Sequence, residues 1–128
     1  MNEGIPRNSL SLNPINLGVR FLLELCILAA LAYWGWNKFS GSLGVLFSVL
    51  LPVVGATLWG TFRVPDDPGR ATVAIRGWLR LLLELLLFTA ANAALFDLQL
   101  TTSAWAMLVI TVVHYAISYD RIRWLLKR

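Results

Sequence analysis

The chain has 128 residues, 58% of them hydrophobic and only 14% charged, with a mean hydropathy of +0.68. Those values exclude a disordered chain and an ordinary soluble domain, and they predict an integral membrane protein. The formal charge is +4, but the basic residues flank apolar runs, so they point to lipid headgroups and topology and not to nucleic acid.

Residues 1–16 form a polar N-terminal segment. The first apolar run, Leu17 to Trp36, opens with Arg20-Phe-Leu-Leu-Glu24. Ala30-Leu31-Ala32 resembles a signal cleavage site. Arg20 and Glu24 interrupt the apolar stretch, however, and bulky Tyr33-Trp34 follows, so this span is expected to be retained. Cys26 lies inside it. A lone thiol makes no intrachain disulfide and no multi-cysteine metal site, and it reads as a packing residue.

The second run, about residues 41–62, carries no fixed charge. Gly44, Ser48, Pro52, Gly55 and Trp59 recur at three- and four-residue steps, which gathers them on one helix face. Gly44-x-x-x-Ser48 lets a neighbouring backbone approach, and Pro52 is expected to kink the helix. The connection Arg63–Gly77 holds Val64-Pro-Asp66-Asp67-Pro-Gly69, a turn by composition. Asp66 and Asp67 are placed to cap the next helix or to pair with Arg121 and Arg123.

The third run, about 78–97, opens with Arg80-Leu-Leu-Leu-Glu84. Between Arg20–Trp36 and Arg80–Phe96 six aligned positions are identical, among them the Arg, the Glu and three leucines. The two helical hairpins therefore read as a weak parallel internal repeat. In the fourth run, about 103–120, Met107, Thr111, His114, Ser118 and Arg121 share one face. The basic, Trp-containing end Tyr119–Arg128 extends that run as an amphipathic stub suited to anionic headgroups. Spans of this length cover a hydrocarbon core of about 30 Å. The expected fold is all-α, four transmembrane helices in an antiparallel bundle within one domain, residues 17–128.

Ten of the eleven Arg and Lys residues lie on one side, leaving Lys38 on the other. The positive-inside rule then puts both termini in the cytoplasm. Trp34, Trp36 and Trp105 mark the outer interface, and Trp59, Trp78, Tyr119 and Trp124 the inner one.

Glu24 and Glu84 lie roughly 6 Å inward from Arg20 and Arg80, and His114 roughly 9 Å inward from Asp120, by helical rise. Ionisable groups at that depth mark a functional site by default. Facing one another, the three side chains form a protonatable cluster tuned by Arg20 and Arg80, with Asn92 and Thr111 lining the same interior. Such a cluster suits proton-linked binding or transport of a small cation or an amphipathic molecule, in a protein expected to form homo-oligomers among membrane lipids. The competing reading is an accessory or scaffold protein in which each Arg/Glu pair neutralises itself and pins helix depth. No metal-ligand spacing occurs, and no cofactor is expected. Gly-x-Ser-x-Gly, a phosphate loop and a Cys/His pair are all missing, so no enzyme is expected.

Arg-Phe-Leu-Leu-Glu-Leu at 20–25, Leu-Trp-Gly-Thr-Phe-Arg-Val-Pro-Asp-Asp-Pro at 58–68, Arg-Leu-Leu-Leu-Glu-Leu at 80–85 and His-Tyr at 114–115 together resemble the YrdB-like family. The resemblance runs from about Leu17 to Arg123. It implies a small four-span protein of a bacterial cytoplasmic membrane and supplies no substrate or mechanism.

Overall fold

The computed structural model describes residues 5–6, 9–67 and 70–128. Arg7 and the Pro68-Gly69 half of the expected turn lie outside them. The described residues are mostly helical and form five α-helices: α1 Pro14–Lys38, α2 Ser42–Thr61, α3 Gly77–Asp97, α4 Thr101–Ile117 and α5 Tyr119–Leu126. A short 3-10 turn, Leu10–Leu12, precedes α1. β1 Phe62–Arg63 and β2 Val73–Ala74 pair in parallel, Phe62 opposite Val73, and so clamp the α2–α3 connection at both ends.

α1 starts earlier than the apolar pattern suggests. The Asn13 side chain accepts the Ile15 N–H at 2.9 Å, and Pro14 fits the first turn, where no amide is needed. α2 stays helical through Pro52 from Ser42 to Thr61. α1, α2 and α3 are each long and apolar enough to cross a membrane. The fourth candidate span differs from expectation. It is not one helix but the pair α4 and α5, bent by 69°. The break falls at Ser118, whose φ of −88° and ψ of 23° leave the helical range. Beyond it α5 turns to bring Arg121 and Leu125 inside, at 3% and 0% exposure.

The core is shared by α1, α3 and α4: Leu23 and Ile27, then Phe88 and Ala91, then Ala104 and Met107. α2 lies to one side, with only Gly44 and Gly55 buried. It meets α1 closely, because a Cβ on Gly35 would lie 2.7 Å from the Phe47 carbonyl carbon. A similar seat holds α5. A Cβ on Gly77 would overlap the Leu125 carbonyl oxygen, so only glycine lets α5 rest on the start of α3. Large apolar side chains such as Phe21, Leu22, Val53, Leu86 and Val112 stand exposed along the helices. A soluble monomer does not carry that much apolar surface, whereas lipid accepts it.

Candidate functional site

Near the starts of α1 and α3, six charged side chains from four parts of the chain meet. Arg20 and Glu24 come from α1, Arg80 and Glu84 from α3, Asp67 from the α2–α3 connection and Arg121 from α5. Three guanidinium groups face three carboxylates, so the group closes at zero net charge when every member is ionised. A buried charge without a partner costs several kcal/mol, and this closure is what makes the burial tolerable.

Glu84 is the hub. Its carboxylate accepts from Arg80 Nε at 2.8 Å, from Arg121 Nη2 at 2.7 Å and from the Tyr115 hydroxyl at 2.6 Å. Arg20 Nη2 lies 3.8 Å away. Asp67 takes the other fork of Arg121, with Nε and Nη2 donating at 2.7 and 2.6 Å. The Arg80 Nη1 donates to the carbonyl oxygens of Trp59 and Phe62, at 2.5 and 2.7 Å, which ties α3 to the end of α2. Its guanidinium also lies over the Trp59 ring, 4.7 Å from the centroid.

Glu24 sits at the margin of this network. It accepts from Trp59 Nε1 at 2.7 Å and pairs with Arg20 Nε at 3.5 Å. Its side chain keeps 26% of its surface exposed, against 1% for Glu84 and none for Asp67. Two grooves meet at Glu24. One, of about 250 Å³, is lined by Leu17, Arg20, Phe21, Glu24, Trp59 and Arg63 among others. The other, of about 210 Å³, is apolar apart from Glu24 and the Trp59 indole, and runs between Phe21, Leu25 and Leu28 of α1 and Gly55 and Ala56 of α2.

Arg20, Glu24, Arg80 and Glu84 are thus brought together, and His114 is not one of them. Its Nδ1 lies 2.9 Å from Asn16 Oδ1, and Asn16 Nδ2 donates to Ser118 Oγ at 2.8 Å. No His114–carboxylate hydrogen bond forms among the described residues. The reason is angular: His114 and Tyr115 are adjacent on α4, and it is Tyr115 whose hydroxyl reaches Glu84. Asn92 and Thr111 also stand apart. Each bonds back to its own helix, Asn92 Nδ2 to the Phe88 carbonyl at 3.0 Å and Thr111 Oγ1 to the Met107 carbonyl at 2.7 Å. Both line an apolar groove between α3 and α4.

Sequence reasoning left Asp66 and Asp67 either to cap the next helix or to pair with Arg121 and Arg123; the Asp67–Arg121 pair forms, and the residue at the N-cap of α3 is Arg76. That reasoning missed Tyr115 and the Asn16–Ser118 chain, and it gave Trp59 a place on the α2 packing face and at the interface but no bond to Glu24. A phenol one residue past an interior histidine was the available signal for Tyr115. Nothing local could pair Trp59 with Glu24, which is 35 positions away. Among the described residues, no group of three or more His, Cys, Asp or Glu side chains could hold a metal ion.

With this geometry in view, the relatives are informative about kinship and silent about activity. The chain belongs to the family described as a protein of unknown function, DUF2568, whose profile matches residues 18–112. It is 38% identical over 120 residues to the uncharacterized protein YrdB of Bacillus subtilis (strain 168), covering 91% of this chain and 98% of that one. No solved structure matches.

Proposed function

We propose that the chain is an integral membrane protein of four antiparallel spans, α4 with α5 as the bent fourth, with both termini cytoplasmic, that binds an amphipathic molecule beside α1 and α2. One observation supports this above others. Of the three acids in the charged network, Glu24 alone keeps exposed surface, and it stands where a polar groove meets an apolar one. An amphipath needs that juxtaposition: a charged contact for its head and a low-dielectric channel for its tail. The excess of Arg and Lys around the network end supports the cytoplasmic orientation. Glu24 is then the ligand contact, Arg20 its counter-charge, and Arg80 and Glu84 a rigid floor.

Native mass spectrometry on protein released gently from its own membrane tests this. A stoichiometric bound mass in the wild type that is absent from Glu24→Gln is the expected result. A bare wild type with the same oligomeric state as the variant would overturn it. That outcome would favour the second reading, a non-transporting accessory or scaffold protein, which draws support from the saturation of Glu84.

A further inference from the structure

The two grooves at Glu24 follow one another in depth. Along α1 the polar groove uses Leu17, Arg20 and Glu24, and the apolar one continues to Leu25 and Leu28. From β1 back along α2 the numbers fall instead, from Arg63 in the polar groove, through Gly60 in both, to Ala56 and Gly55 in the apolar one. Both helices therefore put the polar end nearer the charged-network end of the bundle, which in the proposed topology is the cytoplasmic headgroup level, and the apolar end deeper. Leu17 and Leu28 are eleven residues apart, or about 16 Å of helix. A bilayer lipid is ordered the same way.

The charges in the polar groove are two guanidinium groups, Arg20 and Arg63, and one carboxylate, Glu24. We propose that the occupant is a phospholipid with a primary-ammonium headgroup. Its phosphate would lie between Arg20 and Arg63, its ammonium on Glu24, and the upper part of one acyl chain would follow α1 inward over Leu25 and Leu28. This deepens the amphipath-binding reading and rests on it.

The charge pattern selects this class over its neighbours. Arg63, which also donates to the Asp67 carbonyl at 2.7 Å, stands outside the neutral six-membered network, so it is Glu24 that discriminates: a purely anionic headgroup would set a phosphate beside that carboxylate and bring it no cation, whereas a zwitterion brings the ammonium. A primary ammonium has three N–H donors for the Glu24 carboxylate, whereas a quaternary one has none. A quaternary ammonium needs aromatic faces instead. Two rings line the groove, Phe21 and Trp59, too few for an aromatic cage, and Trp59 already carries Arg80 at 4.7 Å and Arg20 at 5.9 Å. Trp59 Nε1 holds Glu24 Oε1, which leaves Oε2 for the incoming ammonium.

The test is a titration of the full chain in detergent with dioleoyl phosphatidylethanolamine, phosphatidylcholine and phosphatidylglycerol, read by native mass spectrometry. Phosphatidylethanolamine should bind at least about tenfold more tightly than phosphatidylcholine, the discrimination that charge-assisted hydrogen bonds supply. Glu24→Gln should erase that ratio by weakening phosphatidylethanolamine at least about tenfold. Arg63→Gln should weaken both lipids alike. If Arg63→Gln fails to fold, the ratio in wild type and Glu24→Gln decides alone. Equal affinities in the wild type, tightest binding of phosphatidylglycerol, or a ratio that survives Glu24→Gln would each overturn the headgroup assignment. Displacement by soluble glycerophosphoethanolamine at equal concentration would also overturn it, since the chain would then contribute nothing. Loss of a different bound amphipath in Glu24→Gln, with no ethanolamine preference, would sink this inference and leave the groove reading standing. No bound amphipath of any kind would sink both.

Discussion

At the start of α3 the Arg80–Glu84 pair closes to 2.8 Å with both side chains 1% exposed, while at the start of α1 the Arg20–Glu24 pair stays at 3.5 Å with 12% and 26% exposed. The local motif is the same, and so is its helical spacing. What differs is the company. α5 folds back over the start of α3 and delivers Arg121 to Glu84, α4 delivers Tyr115, and the α2–α3 connection delivers Asp67 behind them. Glu24 receives one indole N–H and otherwise faces grooves. Repetition of a motif therefore does not repeat its role: one copy has become framework and the other remains open.

The largest effect expected from breaking this contrast is at Glu84. Glu84→Gln leaves Arg80 and Arg121 buried without their shared counter-charge, which should cost about 3–5 kcal/mol of stability. Thermal unfolding in detergent, followed by circular dichroism, reads it directly. A loss below about 1 kcal/mol would mean that Glu84 is no more committed than an exposed ion pair, and the distinction between the copies would disappear.

Two glycines sharpen the same contrast from the backbone. Gly77 opens α3 under the Leu125 carbonyl, whereas Gly18, in the second turn of α1, has no heavy atom within 4 Å of a Cβ built on it. Gly77→Ala should cost about 1–3 kcal/mol or more through overpacking, and should expose the buried Arg121 to trypsin as α5 lifts away. Gly18→Ala should stabilise by about 0.5–1 kcal/mol through helix propensity. Equal responses at the two sites would show that α5 does not lean on α3 as described. Tyr115→Phe comes next. It removes one short hydrogen bond from Glu84 and should cost about 1–2 kcal/mol in the same unfolding assay.

Much of this was legible beforehand, and the limits are physical. The apolar runs located α1 to α3, because a helix must be apolar over about 20 residues to span a bilayer. The four-residue spacing placed each Arg beside its Glu, and charge complementarity narrowed the partners of Arg121 to Asp66 and Asp67 without choosing between them or excluding a capping role. The bend at Ser118 was not legible: residues 101–126 contain neither proline nor glycine, so local propensity gives no break. It is imposed by tertiary contacts, the burial of Arg121 and Leu125. The partner of His114 was missed because Asn16 was assigned to the polar N-terminal segment, while the Asn13 cap and Pro14 start α1 early enough to bring it into the helix. The division between Glu24 and Glu84 could not be read from the repeat at all, since it is set by residues 31 to 37 positions away from Glu84 and 35 from Glu24.

The smallest expected change in stability, and the most informative, is at Glu24. Glu24→Gln keeps the side-chain volume and keeps an oxygen to accept the Trp59 indole N–H. It removes a partly exposed charge whose pair with Arg20 is long, a geometry worth under about 1 kcal/mol. Arg20 remains within 4.0 Å of Asp67 and 3.8 Å of Glu84, so its charge stays compensated. Unfolding of the variant should therefore stay close to wild type while amphipath binding is lost. The two readouts separate the two roles of the motif. A variant that melted as early as Glu84→Gln would mean that both copies are framework, and the case for a site at α1 would fall with it. A variant that kept both stability and binding would leave Glu24 with no role that its exposure explains.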